Sequence, residues 1–369
     1  MSTAGDQQVV LISPLDWGLG HATRSIPIIS HYLRMGFRII IGGNGRSGKL
    51  LQQTFPELPF VVIPASEIHY PAHSFWLIPV LISQLPAMFY TIIREHQVLK
   101  RVIKKYQINA VISDNRYGLF NRHTYNIIIT HQLAFRLHGL LRLAEYPLHL
   151  LIRRLIGKFD ECWIPDFANP YYNISGMLSH RYKLPVKTRF IGLLSRFSNV
   201  SEDFRNNMHQ LYSLVVVLSG PEPRHSRLVA KIAEEASLLQ CKTLIIAGMP
   251  VKMAVNEHLS NPNLSIVPHL ADIDFKKVLQ QADVIVCQAG YSSIMDLVTI
   301  GCRAILIPTP NQPEQQYLAH YLSGKGWFSF VEEKALTLDK AITKEIVTTT
   351  QAKIPAFPDN ECLPVLPLS

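Results

Sequence analysis

Short apolar runs separated by longer amphipathic stretches recur along the chain. Residues 9–13 (VVLIS), 37–41, 60–63, 110–113 and 125–130 form a first series of strand-like runs, and 214–218 (LVVVL), 243–247, 264–267, 284–287 and 304–307 form a second. Helix-like stretches lie between them. Apolar runs this short, with little polar alternation, suit strands buried on both faces of a parallel sheet. Two series predict two doubly wound, Rossmann-like α/β domains. The polar stretch 195–207 (SRFSNVSEDFRNN) is the expected linker, which gives domains at 1–195 and 196–350 and a proline-rich tail, 351–369, expected to be poorly ordered.

One run breaks the pattern. Residues 75–93 (FWLIPVLISQLPAMFYTII) hold 19 residues without a charge, close to the length that crosses a bilayer. Pro79 and Pro86 interrupt it, and a basic stretch with a further strand follows at once. An interfacial or core helix is therefore the preferred reading. The later stretch LAFRLHGLLRLAEYPLHLLIRRLIGK is also apolar and basic, so both are candidates for docking on an anionic membrane surface.

Composition narrows the class. The 369 residues are 48% hydrophobic and 17% charged, which fits a globular protein and not a disordered one. The formal charge of +9 suits an anionic partner such as a nucleotide, a nucleic acid or an acidic lipid surface. No nucleic-acid recognition motif accompanies the charge, so nucleic acid is not expected. Five scattered cysteines, Cys162, Cys241, Cys287, Cys302 and Cys362, include no CxxC pair, which argues against a disulfide framework or a structural zinc. The polar start MSTAGDQQ shows no secretory leader, and a cytoplasmic setting is expected.

The candidate chemistry lies just after strands. In PLDWGLGHATRSIPI, residues 14–28, Gly18 and Gly20 allow a tight turn and His21 stands where a helix begins, with Thr23 in the same loop. In such sheets ligands bind beyond the carboxyl ends of the strands, so His21 is expected in a cleft facing the second domain. The spacing is not GxGxxG, and a dinucleotide fingerprint is poorly supported. GGNGRSGKL has P-loop spacing through Gly43, Gly48 and Lys49, but Leu50 replaces the magnesium-holding Ser or Thr, so a basic turn is preferred. In SDNRYG, residues 113–118, Asp114 and Arg116 end a strand, where they could bind an acceptor, orient His21 or form a salt-bridged turn. Asp272-Ile273-Asp274 resembles a metal-binding triplet, but it precedes the helical FKKVLQQA and reads better as a helix cap.

The second domain is more informative. In ADVIVCQAGYSSIMDLVTIGCRAILIPTPNQPEQQYLA, residues 282–319, a strand runs into Gly290, and Ser292 and Ser293 open a helix carrying Asp296. A diphosphate can lie on such a helix start. Asp296 could accept ribose hydroxyls, and Gln315 and Gln316 offer donors and acceptors suited to a sugar.

This segment resembles the C-terminal domain of GT-B glycosyltransferases of family 28, and GLGHATRSIPI resembles that family's first glycine-rich loop. The resemblance implies a GT-B fold, with a UDP-sugar as donor and hexosyl or N-acetylhexosaminyl transfer to an acceptor hydroxyl. Asp296 stands where the family has a ribose-binding Glu, Gln315 and Gln316 match glutamines that contact the donor sugar, and His269-Leu270 match the stretch flanking the uracil. Ser219, Gly220 and Arg224, in LSGPEPR, stand where the family has a glycine-rich phosphate loop, although Pro221 and Pro223 each remove an amide there. Ala319 falls near an asparagine of the lipid II-forming members, which leaves the hexosamine open. A lipid-linked acceptor, peripheral association with the inner face of the membrane, and no metal or other cofactor are the accompanying expectations. His21 is the candidate base, with Asp114 next. An epimerase of the same fold, a P-loop NTPase and a non-catalytic nucleotide-binding module are the rival readings.

Overall fold

The computed structural model describes residues 7–65, 77–136, 139–184, 186–205, 211–220, 224–248, 261–340, 354–358 and 363–368. The chain divides into two compact units, Met1–Leu194 with Pro358–Ser369, and Ser195–Phe357.

Unit 1 is built on seven described strands: β1 (Val9–Pro14), β2 (Arg38–Gly43), β3 (Phe60–Val62), β4 (Ala110–Asp114), β5 (Tyr125–Ile129), β6 (Glu161–Ile164) and β7 (Lys187–Phe190). Their order is β3-β2-β1-β4-β5-β6-β7, and the pairings are parallel. The helices are α1 (Leu19–Arg34), α2 (Gly45–Thr54), α3 (Leu77–Tyr106), α4 (Glu145–Ile156) and the single turn α5 (Met177–His180). Val10, Leu11 and Ile12 are buried in succession, as a central strand covered on both faces requires.

Unit 2 holds six described strands: β8 (Tyr212–Val217), β9 (Thr243–Ile246), β10 (Leu264–Val267), β11 (Ala282–Gln288), β12 (Ile305–Ile307) and β13 (Ser329–Phe330), with helices α6 (Arg224–Ser237), α7 (Asp272–Gln280), α8 (Tyr291–Thr299) and α9 (Pro313–Gly324). The order is β10-β9-β8-β11-β12-β13, again parallel. Leu214, Val216, Ile245, Val286 and Ile305 form a core with Leu228 and Ile232 of α6. In each unit the strand order reverses beside the first strand, between β1 and β4 and between β8 and β11. A crevice opens at such a point beyond the carboxyl ends.

β6 has only a three-residue apolar run, Cys162 to Ile164, behind Glu161, and β7 is mostly polar. Glu161 opens β6 and is buried, because its β7 neighbour Lys187 and also Arg189 bring Nζ and Nε to 2.8 and 3.0 Å of its carboxylate, and Trp163 Nε1 donates at 2.8 Å. A buried charge is tolerated when paired and hydrogen-bonded. β7 is an edge strand, where charged residues are expected. The tail also carries more structure than its proline content suggests. Leu366 is buried, and Tyr32 Oη donates to the Pro364 carbonyl at 2.7 Å.

The apolar run beginning at 75 enters α3 at Leu77, and its first two residues lie outside the described set. α3 continues through Pro86, and Leu85, Phe89, Tyr90 and Ile93 are exposed, whereas Leu99 and Val102 reach the core. The stretch of α3 from Leu85 to Ile93 is therefore not a core helix. Among the described residues, no helix is long and apolar enough to cross a membrane.

Candidate active site

β1 delivers Pro14 to the carboxyl edge of the unit 1 sheet, opposite Asp114 at the end of β4. The chain then turns through Gly18, which caps α1 at φ 116°, a conformation that a side chain would strain. Gly20 and His21 fall in the first turn of α1. Thr23 is buried and its hydroxyl donates to the Gly20 carbonyl at 3.0 Å, which stiffens that turn.

His21 Nδ1 lies 3.0 Å from Asp114 Oδ2. Arg24, one turn along α1 and 2% exposed, donates from Nε to the same oxygen at 2.6 Å and from Nη2 to Oδ1. Arg24 Nη2 is also 2.8 Å from His21 Nδ1, and Nη1 is 3.5 Å from Nδ1 of the buried His131, just past β5. Burial pushes the Asp114 carboxyl up, but the charges and hydrogen bonds of Arg24 and His21 outweigh it and hold the group far below the usual carboxylate range. Burial pushes the His21 imidazole below its ordinary value of 6.5; Asp114 opposes this, and Arg24 and His131 reinforce it.

The two neighbours of Nδ1 make opposite demands. Protonated, Nδ1 donates to Asp114 and leaves Nε2 with a free lone pair. Unprotonated, it accepts from Arg24, and the ring proton sits on Nε2. Arg24 and His131 were not singled out from the sequence. Their only signal was position, one turn after His21 and one residue past a strand end.

Arg116 is not presented to a ligand. It is 1% exposed and donates to the Pro14 carbonyl at 2.7 Å, the Pro64 carbonyl at 2.6 Å and Glu95 Oε1 at 2.9 Å. Glu95 Oε2 in turn accepts from the Gly118 amide. Of the readings open for this residue, the salt-bridged turn is the one that fits, because the guanidinium braces the loops after β1, β3 and β4. The P-loop-like stretch is also filled from within. Asn44 caps α2, and Asp16 Oδ1 accepts from the Ser47 amide at 3.0 Å, so a carboxylate stands where a phosphate would lie.

In unit 2 the predicted residues line the carboxyl edge in strand order. His269 and Leu270 follow β10, Ser219 and Gly220 follow β8, Gly290 to Ser293 follow β11, and Thr309 and Gln315 follow β12. Gln288, buried at the end of β11, ties two of these loops together: its Oε1 accepts from the Ser219 amide at 2.6 Å. Gly220 adopts φ 151° beside it. Gly290 caps α8, which, unlike α2 with its Asn44 cap, has no side-chain cap, and its first turn carries no acid. Gln315 Oε1 accepts from the Thr309 amide at 2.9 Å, and Gln316 lies on the same first turn of α9.

Two predicted residues already have protein partners. Asp296, 5% exposed on α8, accepts from Ser195 Oγ at 2.6 Å through Oδ1 and from Arg196 Nε at 3.0 Å through Oδ2. Arg224 opens α6 and donates to Glu333 Oε1 at 2.8 Å. The predicted linker begins here as a 3-10 turn, Arg196–Asn199, with Phe197 buried against Phe275 of α7. Pro221 and Pro223 lie outside the described residues. Asp272 and Asp274 fall in the first turn of α7, but its cap is Ala271, so the acids favour the helix through its dipole and not as caps. Among the described residues, no three His, Cys, Asp or Glu side chains form a metal-ligand group.

Residues 214–356 match the glycosyltransferase family 28 C-terminal domain. The chain has the GT-B fold, and its second unit carries a family 28 glycosyltransferase domain. It is similar to an uncharacterized glycosyltransferase of Methanopyrus kandleri, 21% identical over 87% of this chain and 91% of the relative. It is also similar to the Haemophilus influenzae UDP-N-acetylglucosamine–N-acetylmuramyl-(pentapeptide) pyrophosphoryl-undecaprenol N-acetylglucosamine transferase, 28% identical over 51% of each chain. The chain shares its fold with Acinetobacter baumannii MurG, at a TM-score of 0.53 and 12% identity over 93% of this chain and 91% of that one. It also shares it with a UDP-glucosyltransferase from Polygonum tinctorium, at 0.60 and 15% over 93% and 90%.

Proposed function

We propose that the protein transfers a hexosyl or N-acetylhexosaminyl group from a UDP-sugar to an acceptor hydroxyl, without a metal, with His21 as general base. The observation that carries this is the His21–Asp114 pair at the sheet reversal of unit 1. In the productive tautomer Nδ1–H donates to Asp114 and Nε2 takes the acceptor proton. The acceptor oxygen bonds to the anomeric carbon as the bond from that carbon to the diphosphate oxygen breaks. Asp114 then stabilises the imidazolium, and Arg24 keeps Asp114 ionised and fixed in place.

Unit 2 carries the donor. The start of α8 at Gly290, Ser292 and Ser293, with Ser219 and Gly220, favours the negative charge that grows on the leaving diphosphate. Gln315 and Gln316 contact the sugar, His269 and Leu270 flank the base, and Asp296 holds the ribose by exchanging Ser195 or Arg196 for ribose hydroxyls. Arg224 reaches phosphate only if it leaves Glu333. The Haemophilus relative's name specifies a pyrophosphoryl-undecaprenol acceptor, which supports a lipid-linked acceptor here. So do the exposed Leu85, Phe89, Tyr90 and Ile93 of α3 and Leu143, Tyr146 and Leu150 in and before α4, which suit peripheral docking at the cytoplasmic face of a membrane.

The test is mass spectrometry of products from a panel of UDP-sugars, with and without lipid and soluble hydroxyl acceptors. A glycosylated acceptor with release of UDP is expected. A changed sugar still attached to UDP, formed without acceptor, would replace the transferase reading with an epimerase.

A further inference from the structure

Unit 1 has a cationic pocket at the opposite edge of its sheet from His21. Lys104 lies six residues before β4 begins and His123 two residues before β5 begins, whereas Asp114 ends β4. The amino ends of the two strands are in register, Ala110 beside Tyr125. The pocket encloses about 560 Å³, within the range of small-molecule sites, and its polar lining comes from His96, Lys100 and Lys104 of α3 and from Asn121, Arg122 and His123 of the loop between β4 and β5.

Three observations separate this pocket from an ordinary solvated basic face. First, no carboxylate lines it, and among the described residues Lys100, Lys104, Arg122 and the nearby Lys158 form no salt bridge. Like charges held together without a counter-charge cost energy that an anion relieves. Second, the loop is held firmly. The Asn121 amide donates to Asn126 Oδ1 at 2.8 Å, Asn126 Nδ2 donates back to the Asn121 carbonyl at 2.8 Å, and the Asn126 amide is fixed on Asp160 at 2.7 Å. Asn126 is buried, so Arg122 and His123 project from a pre-organised turn. Third, the floor is aromatic. His96 packs on Phe120 at 4.8 Å between ring centroids, Lys158 Nζ lies 4.9 Å from the same centroid, and His96 Nδ1 is buried with no hydrogen-bond partner.

We infer that this pocket is a second anion site, which binds a phosphate-bearing group through Lys100, Lys104 and Arg122, with His96 and His123 as further hydrogen-bonding partners. The guanidinium and the ammonium groups supply charge-assisted hydrogen bonds to phosphate oxygens. The site is independent of the transfer chemistry, because none of these residues takes part in it.

Calorimetric titration of the full chain with inorganic pyrophosphate at low salt, compared with the same titration of variants that change only this pocket's cations, tests the inference. Saturable binding is expected, weakened by about tenfold or more in the exposed double variant Lys100→Ala/Arg122→Ala. The charge-retaining Lys100→Arg/Arg122→Lys should keep most of the affinity. Absence of binding to the native chain, or equal binding to the alanine variant, would overturn the site. Flotation with phosphatidylglycerol vesicles identifies the source. If pyrophosphate displaces the protein from vesicles, the site takes a lipid headgroup phosphate; if pyrophosphate binds without affecting vesicle association, it takes a soluble phosphate compound.

Discussion

Asp114 and Asp296 are both buried, both lie near the sheet reversal of their unit, and both accept hydrogen bonds from an arginine. Their other neighbours differ. Asp114 faces an imidazole, which can exchange a proton. Asp296 faces a serine hydroxyl, which fastens the first residues of unit 2 to α8. A buried carboxylate beside a cation is thus no indication of its role. The third partner differs: an imidazole can exchange a proton, whereas a serine hydroxyl ties two segments together.

The sharpest way to break the comparison is to remove the imidazole. His21→Ala should reduce turnover by ~10²–10⁴-fold while UDP-sugar affinity stays nearly constant. Steady-state kinetics and a donor Kd on the same folded variant check both parts. Near-normal turnover at saturating substrates would pass the role of base to Asp114.

Arg24→Met comes next, because it strands a carboxylate that has 2% exposure. A loss of stability of about 3–5 kcal/mol is expected in chemical denaturation. Arg196→Met should cost less, since the Arg196 side chain is 22% exposed and water can compensate. Equal losses would remove the distinction between the two pairs.

Asp296→Ala should weaken UDP-sugar binding by roughly 1–3 kcal/mol. Because the change also frees Ser195 and Arg196, folding must be verified alongside calorimetry. Unchanged affinity in a folded variant would leave Asp296 as a clasp alone.

The acid side of the kcat/KM profile should fall below pH 6.5, the ordinary imidazole value, since the His21 pKa is lowered and the ring stays neutral where a free imidazole would be protonated. The stability sign is the same for both partners. Native His21 and Asp114 bind protons less readily than the unfolded chain does. Their contribution is therefore complete above about pH 6.5 and declines as pH falls, first through the imidazole range and then below about 4. An acid limb above 6.5 would mean that Asp114 dominates the coupling. The smallest expected change is with EDTA: turnover should be unaffected, and a loss restored by magnesium or manganese would reopen the P-loop-like stretch and Asp272-Ile273-Asp274.

Much of this was legible in the chain. Residues 9–13 and 214–218 are apolar without alternation because central parallel strands have no solvent face, so the two sheets could be read directly. Gly18, Gly290 and the histidine after the first strand were visible because turns and helix starts demand particular residues locally. β6 escaped because its apolar run is only three residues long and follows Glu161, whose burial depends on meeting Lys187, Arg189 and Trp163, partners contributed partly by another strand. Arg116 and Arg224 look alike in sequence as cations near strand ends, yet each is held by a distant carboxylate, Glu95 or Glu333.

The sequence alone determined two doubly wound units, their strand series, and a histidine and a small-residue helix start beyond strand ends. These follow from periodicity and backbone preference, which act within a few residues. Only the tertiary structure decided that Arg24 and His131 join His21 and Asp114, that Asp16 fills the start of α2, and that Asp296 is fastened to Ser195 and Arg196. Each of these depends on the electrostatics of groups brought together by burial. The same carboxylate or guanidinium is unremarkable in water and decisive in a dry site, and no local pattern records which neighbour it will meet.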